Sequence, residues 1–283
     1  MTIEGKIIKA LSGFYGVQYE GGYVQCKARG LFRKTGTSPL VGDRVMFSVE
    51  DEMIYEIQSR KNALVRPPVA NVDMALLVFS AREPDFQTTL LDRFLVVLEA
   101  YDIEPLICIS KMDLAEKNLG TIQEEADVYK KMGYDVLWTS SETNTGLEQL
   151  RPWLRQKVSV IAGQSGVGKS SLLNALSPGL DLKTEEISAS LGRGKHTTRH
   201  VELLNIEDGW IADTPGFSSL DFDAVDSAHE LHKYFRDFQA YAPNCKFRGC
   251  THLKEPKCAV KQAVESAISH HLGMSITNSF FKK

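Results

Sequence analysis

A chain of 283 residues, 43% hydrophobic and 24% charged, has the composition of a soluble globular protein of two or three domains. Its formal charge of −3 argues against a broadly basic nucleic-acid binder and leaves only local basic patches for such a role. No apolar run approaches the ~18 residues of a membrane span, and the stretch from Met1 to Lys6 has no signal-peptide core, so a cytoplasmic protein without a membrane partner is expected.

Short strand-like runs fill residues 6–57: Lys6 to Leu11, Phe14 to Tyr19, Tyr23 to Cys26, Arg44 to Val49 and Met53 to Ile57. Turn signals such as Ser12-Gly13 and Gly21-Gly22 separate them, and five short strands with close turns suggest a small OB-fold barrel. Lys27, Arg29, Arg33 and Lys34 cluster around Phe32. That mix suits an RNA surface, and equally a solvated loop with one anchoring aromatic. Residues 59–71, with Pro67-Pro68, read as an extended linker.

Strands and helices then alternate. Met74 to Phe79 is a continuous apolar run, as in a strand buried on both faces. Helical spacing over Thr89–Leu98, Ile122–Met132 and Gly146–Leu154 alternates with strands over Glu104–Ile109, Asp135–Trp138 and Val158–Ala162. The pattern predicts a doubly wound, mostly parallel sheet, with ligands at the carboxyl ends of its strands. Two further strands, Val201–Leu204 and Gly209–Ala212, end at Asp213-Thr214-Pro215-Gly216.

The stretch Gly163-Gln164-Ser165-Gly166-Val167-Gly168-Lys169-Ser170-Ser171 fits the phosphate-binding pattern G-x-x-x-x-G-K-[ST]. It lies between a strand and a helix, where its amides can form an anion nest on the positive helix end. Lys169 would reach the β- and γ-phosphates, and Ser170 would ligate Mg²⁺. Asp213 at a strand end can hold Mg²⁺ through water, and the Gly216 N–H can meet the γ-phosphate. The polar stretch Lys183–His200 reads as a mobile switch loop whose Thr197 or Thr198 binds Mg²⁺ only beside a γ-phosphate.

Ser110-Lys111-Met112-Asp113 closes another strand. Asp113 can accept hydrogen bonds from the N1–H and 2-amino group of guanine, and a buried Asp113 left unpaired would reject adenine. Lys111 can lie over the base, and Ser140-Ser141 stands at the next strand end. These boxes around one phosphate loop indicate a guanine-nucleotide hydrolase rather than an ATPase. The base-reading boxes precede the phosphate loop, which is a circular permutation.

Near the end, Cys245, Cys250, His252 and Cys258 are spaced C-x4-C-x-H-x5-C, a closed tetrahedral zinc set. Lys246 and Arg248 beside them offer a phosphate-backbone contact surface. Cys26 and Cys108, alone in strand-like runs, read as buried small hydrophobes. A helix is expected over Ala228–Phe235 and another over Ala259–Ile268, the first linking the stretch after Asp213 to the zinc site.

Gly192-Arg-Gly-Lys-His-Thr-Thr-Arg199, the Gly163–Ser170 loop and Asp213-Thr-Pro-Gly-Phe217 together resemble the RsgA/YjeQ family of circularly permuted, small ribosomal subunit-dependent GTPases, over nearly the whole chain. The resemblance implies an OB-fold RNA-binding domain (1–62), a permuted GTPase domain (63–222) and a zinc-binding C-terminal domain with helices (223–283). It also implies GTP hydrolysis stimulated by the small subunit in late maturation, ribosomal RNA contacts and a monomer with one structural Zn²⁺. Phe217 stands where Ras-like enzymes carry the glutamine that orients water. In similar proteins a loop histidine is proposed to replace it, here His196, with Lys169 and Thr198 completing the catalytic set. Phe217 also fits a nucleotide-gated RNA-binding scaffold with negligible turnover. Ser110 replaces the commoner asparagine of the base box, and the tail from His270 departs from the helical ending the family implies.

Overall fold

The computed structural model describes residues 1–34, 36–115, 119–180, 182, 201–213 and 232–266. His196, Thr197, Thr198, Gly216 and Phe217, the first half of the helix expected over Ala228–Phe235, and the tail from His270 lie outside the described residues.

Strands β1 (Ile3–Leu11), β2 (Phe14–Tyr19) and β3 (Gly22–Ala28), the short helix α1 (Leu31–Lys34), and strands β4 (Arg44–Ser48) and β5 (Met53–Ile57) build the first unit. β1 pairs antiparallel with β2 and also with β4, β2 with β3, β3 with β5 in parallel, and β4 with β5. The pairings close a five-stranded OB-like barrel, and closure removes its sheet edges. Alternation supplies the core: Ile7, Val17, Cys26, Val45, Phe47 and Ile54 are all 0% exposed.

The expected linker is instead a docked hairpin. β6 (Ala63–Leu64) pairs with β7 (Val69–Ala70), with Pro67 and Pro68 in the connection. Leu64, Val69, Ala70 and Val72 are buried, and Val69 bridges Val41 of the barrel. Asn62 exchanges two side-chain hydrogen bonds with the Val72 backbone, and Asn71 donates to the Gly42 carbonyl. Proline composition suggested an open path, but the four apolar side chains between the polar ends decide the fold here by burial.

The second unit contains β8 (Met74–Ser80), α2 (Thr88–Ala100), β9 (Glu104–Ser110), α3 (Leu119–Lys131), β10 (Asp135–Trp138), α4 (Leu147–Leu154), β11 (Val158–Ala162), α5 (Lys169–Leu176), β12 (Val201–Ile206) and β13 (Gly209–Asp213). Its sheet order is β10-β9-β8-β11-β13-β12, parallel except for β12, which runs antiparallel to β13. Every residue of β8 is buried, as its unbroken apolar run demands. Ala75, Leu77 and Phe79 join one core with Leu91 and Phe94 of α2 and Ile122 and Ala126 of α3. Met74, Leu76 and Val78 join another with Leu147 and Leu150 of α4 and Leu172 and Leu173 of α5.

β12 is the outer strand of this sheet, and the barrel pairs with its first two residues. Lys9 and Ala10 of β1 pair with Glu202 and Val201, and Lys9 Nζ lies 3.0 Å from the Glu202 carboxylate. One continuous 11-stranded sheet results, joined at the start of β12.

The last described unit carries α6 (Arg236–Gln239) and α7 (Ala259–Glu265). It packs on α2 through Val96, which is buried with Phe235, Phe238 and Val260. Arg236 fastens it: the guanidinium bonds Glu99 and Glu104, donates to the Gly133 carbonyl at 3.1 Å and lies 4.4 Å from the Tyr134 ring centroid.

Candidate functional site

The phosphate loop follows the buried strand β11 at the carboxyl edge of the sheet. Gly163 sits at φ 144°, and a Cβ there would lie 2.1 Å from the Val78 carbonyl oxygen, so no other residue lets β11 hand the chain on beside β8. Gly166 and Gly168 are also left-handed, at φ 82° and 91°, and Gly168 is the cap from which α5 starts. Val167 is buried and anchors the loop, whereas Ser165 and Gly166 are exposed and Gln164, Ser170 and Ser171 are half-buried. Lys169 donates to the Gly163 and Gln164 carbonyls, both at 2.7 Å. Burial lowers its ammonium pKa to about 8. A polyphosphate would restore the charge, since an anion beside a cation favours the charged form.

β9 ends at Ser110, one strand beyond β8. Ser110 is buried, and its hydroxyl contacts the Val167 carbonyl at 2.6 Å and the Phe79 carbonyl at 3.1 Å. The base box is thereby tied to the phosphate loop by a serine that sequence reasoning took only as a departure from asparagine. One hydroxyl proton serves one acceptor at a time, and the shorter contact identifies Val167 as its main partner. Lys111 takes a left-handed φ of 56° and starts a 3₁₀ turn over Met112–Leu114.

Asp113 lies on that turn. The Ser140 hydroxyl donates to Asp113 Oδ1 at 2.5 Å, and the Met112 N–H bonds the Thr139 carbonyl at 3.2 Å. Ser140 is buried and Ser141 half-buried, so the loop after β10 aims the carboxylate. Asp113 itself is exposed, not buried as the adenine-rejection argument assumed. It sits on a turn beyond the strand end, so a bound base would have to supply the desolvation. β13 brings Asp213 to the same edge, because Ala212 is level with Val160 of β11.

Cys245, Cys250, His252 and Cys258 converge, with their ligand atoms all within 4.8 Å of one another. Cys245 Sγ lies 3.9 Å from Cys258 Sγ and 3.6 Å from His252 Nδ1, which lies 3.2 Å from Cys258 Sγ. A tetrahedron with zinc–sulfur bonds of about 2.3 Å has sulfur–sulfur edges of about 3.8 Å. The cluster could therefore hold a metal ion. Burial and the neighbouring His232 push His252 down to about 4, keeping the imidazole neutral, which is the metal-binding form. Glu255 organises the ligand loop, accepting from the Thr251 amide and hydroxyl at 2.9 and 2.6 Å and from the Leu253 and Lys254 amides. Burial alone would raise its pKa, but these hydrogen bonds overcome it and hold the carboxyl at about 2. Glu255 was given no role on sequence grounds; its position one to four residues from the three donor residues was the available signal.

The basic residues fall in two separate places. On the barrel, Lys27 Nζ stands 5.4 Å from the Phe14 ring and the Arg29 guanidinium 5.4 Å from Tyr55. Lys34 is exposed, Arg33 lies in α1, and Phe32 is half-buried against the core as an anchor. At the metal cluster, Lys246 Nζ stands 5.4 Å from the exposed Phe247 ring, and Arg248 is exposed. Among the described residues, no helix is long and apolar enough to cross a membrane.

Comparison with known proteins agrees with this geometry. A family model described as RsgA GTPase matches residues 57–223, and one described as RsgA N-terminal domain matches residues 4–54. The chain is 59% identical over 266 residues to the small ribosomal subunit biogenesis GTPase RsgA of Bacillus cereus (strain ATCC 14579), covering 93% of this chain and 90% of the relative. It is 57% identical over 271 residues to the Bacillus pumilus protein of that name, covering 93% and 91%. Among solved structures, YloQ, a circularly permuted GTPase, matches at TM-score 0.83 with 48% identity, covering 100% of this chain and 94% of that one. YjeQ from Thermotoga maritima matches at TM-score 0.87 with 36% identity, covering 100% and 98%. A family model across more than half the chain and close relatives along 93% of it place this protein in the RsgA GTPase family.

Proposed function

We propose that this chain hydrolyses GTP to GDP and phosphate during late maturation of the small ribosomal subunit, and that the subunit stimulates the reaction. The observation that carries the reading is the Ser140–Asp113 pair, joined through the base box and Ser110 to the phosphate loop at one sheet edge. Asp113 reads the N1–H and 2-amino group of guanine, and Lys111 and Met112 flank the base. The amides from Gly163 to Ser171 and the Lys169 ammonium hold the phosphates. His196 accepts a hydrogen bond from the attacking water, and Thr198 closes the site beside it.

Two metals belong to this reading. The hydroxyls of Ser170 and of Thr197 or Thr198, with the carboxylate of Asp213, form an oxygen donor set suited to Mg²⁺, which neutralises phosphate charge when bound. Gly216 faces the γ-phosphate. Cys245, Cys250, His252 and Cys258 suit a structural Zn²⁺, since four ligands leave no open position.

The chain divides into an RNA-binding barrel (1–62), a GTPase domain (63–222) and a zinc-binding module (223–283). Lys27, Arg29, Arg33 and Lys34 on the first and Lys246 and Arg248 on the third contact ribosomal RNA. The protein works as a monomer in the cytoplasm, where its RNA partner is assembled.

Phosphate release from GTP and from ATP, with and without purified small subunits, tests the reading. GTP-selective turnover that rises with subunits and collapses in His196→Ala is expected. Tight GTP binding without turnover under any condition would replace the enzyme by a nucleotide-gated scaffold, the reading that Phe217 favours.

A further inference from the structure

Residues 81–87, between β8 and α2, belong to none of the nucleotide boxes. Two anchors fix their path. The half-buried Phe86 stacks edge-on against Phe79 of β8, with centroids 5.8 Å apart, and Phe79 in turn meets Phe94 of α2 at 6.1 Å. The Ser80 hydroxyl donates to the Pro84 carbonyl at 2.5 Å, and the Ala81 N–H donates to the Ser110 carbonyl at 2.9 Å.

From these anchors the segment reaches both halves of the nucleotide site. The Glu83 carbonyl accepts a hydrogen bond from Lys111 Nζ. Lys111 Cε lies 4.0 Å from where a Gly168 Cβ would stand, so the lysine stem crosses the phosphate loop on its way to Glu83. Pro84 Cδ stands 3.8 Å from the corresponding point at Gly166, and Gln87 Oε1 accepts from Gln164 Nε2 at 3.3 Å. The side chain of Glu83 is exposed and points its charge elsewhere; its backbone makes the contact.

We propose that residues 81–87 brace the nucleotide site, holding Lys111 and the phosphate loop in one receptive arrangement, with Phe86 as the anchor and Gln87 as a second tie. The proposal rests on the guanine-nucleotide reading of the site. A long lysine loses substantial rotamer freedom when it settles over a ligand, and a loop that must be ordered costs affinity. A brace that holds both before the ligand arrives removes those costs. Its contacts go to the base box and to Gln164 and Gly166, so GTP and GDP gain alike.

The test measures dissociation constants for fluorescent GTP and GDP analogues on the full-length wild type, Phe86→Ala, Phe86→Leu and Gln87→Ala, with melting temperatures alongside. Phe86→Ala is expected to weaken both nucleotides about tenfold, equivalent to about 1.4 kcal/mol, with their ratio unchanged. Phe86→Leu, which keeps an apolar anchor, should recover most of the affinity. Gln87→Ala alters an exposed side chain, so it should fold normally and weaken both nucleotides about threefold. A lower melting temperature with wild-type affinities would make Phe86 merely structural and overturn the brace, as would an effect confined to GTP. If Phe86→Ala does not fold, Gln87→Ala decides alone: wild-type affinity there overturns the proposal. A wild-type protein that binds no guanine nucleotide would instead overturn the underlying reading and the brace with it.

Discussion

Replacing Ser110 by alanine should weaken guanine-nucleotide binding through the contact its hydroxyl makes with the phosphate loop. The side chain is 3% exposed and its hydroxyl donates across 2.6 Å to the Val167 carbonyl in the middle of the phosphate loop. Alanine keeps the volume nearly constant, so the loss is the hydrogen bond and not a cavity. A neutral bond contributes about 1 kcal/mol net, and a buried acceptor left unpaired costs about 1–3 kcal/mol. That carbonyl belongs to the loop whose amides hold phosphate, while Ser110 opens the box that reads the base. A nucleotide spans both, so the loss should appear in affinity: about tenfold weaker GDP and GTP binding, or about 1.4 kcal/mol. Asparagine at 110 carries an amide donor of longer reach and should restore most of the affinity. Titration of the three proteins with fluorescent GDP, with melting curves taken in parallel, checks this. Affinity of Ser110→Ala within twofold of wild type would refute the coupling between the two loops and leave the hydroxyl a local feature of the core.

Three other expectations concern charge and metal. Lys169 has its pKa lowered to about 8 by burial, and bound phosphate raises it, so GDP affinity should fall as pH rises through about 8. Calorimetry in buffers of different ionisation enthalpy should register proton uptake there, and pH-independent binding between 7 and 9 would contradict it. Treatment with a metal chelator should free three thiols to an aromatic disulfide reagent while Cys26 and Cys108 stay protected in their cores; no gain in reactive thiols would count against the metal site. Asp92 is pushed up from 3.8 to about 7, chiefly by burial and also by Asp237, against the hydrogen bond that Tyr129 donates to it at 2.7 Å. The folded chain holds that proton more tightly than the unfolded one, so stability falls as pH rises from about 4 to about 7 and is flat above. At about 1.4 kcal/mol per pKa unit the penalty reaches up to about 4 kcal/mol. Asp92→Asn should raise the melting temperature more at pH 8 than at pH 5, and equal gains would refute the assignment.

The phosphate loop, the base box and the cysteine–histidine cluster were legible because each needs particular residue types at fixed short spacing. Gly163 must be glycine beside Val78, and Cys250-x-His252 must turn two ligands toward one point. The strands of the parallel sheet were legible for a related reason: burial on both faces demands an unbroken apolar run such as Met74–Phe79. Residues 59–71 were misread as a linker, because local composition carries no trace of the barrel surface that buries Leu64, Val69 and Ala70. The exposure of Asp113, the Ser110 tie to Val167 and the Glu83 carbonyl on Lys111 were equally out of reach. The two contacts join chain segments 57 and 28 residues apart, and the exposure of Asp113 depends on how the turn after β9 sits on the fold. The sequence by itself determined the chemical groups at the strand ends and the spacing of the metal ligands, since those follow from local geometry. Only the tertiary structure decided which loops lean on which, because such contacts form between backbone carbonyls and side chains whose identities leave no local pattern.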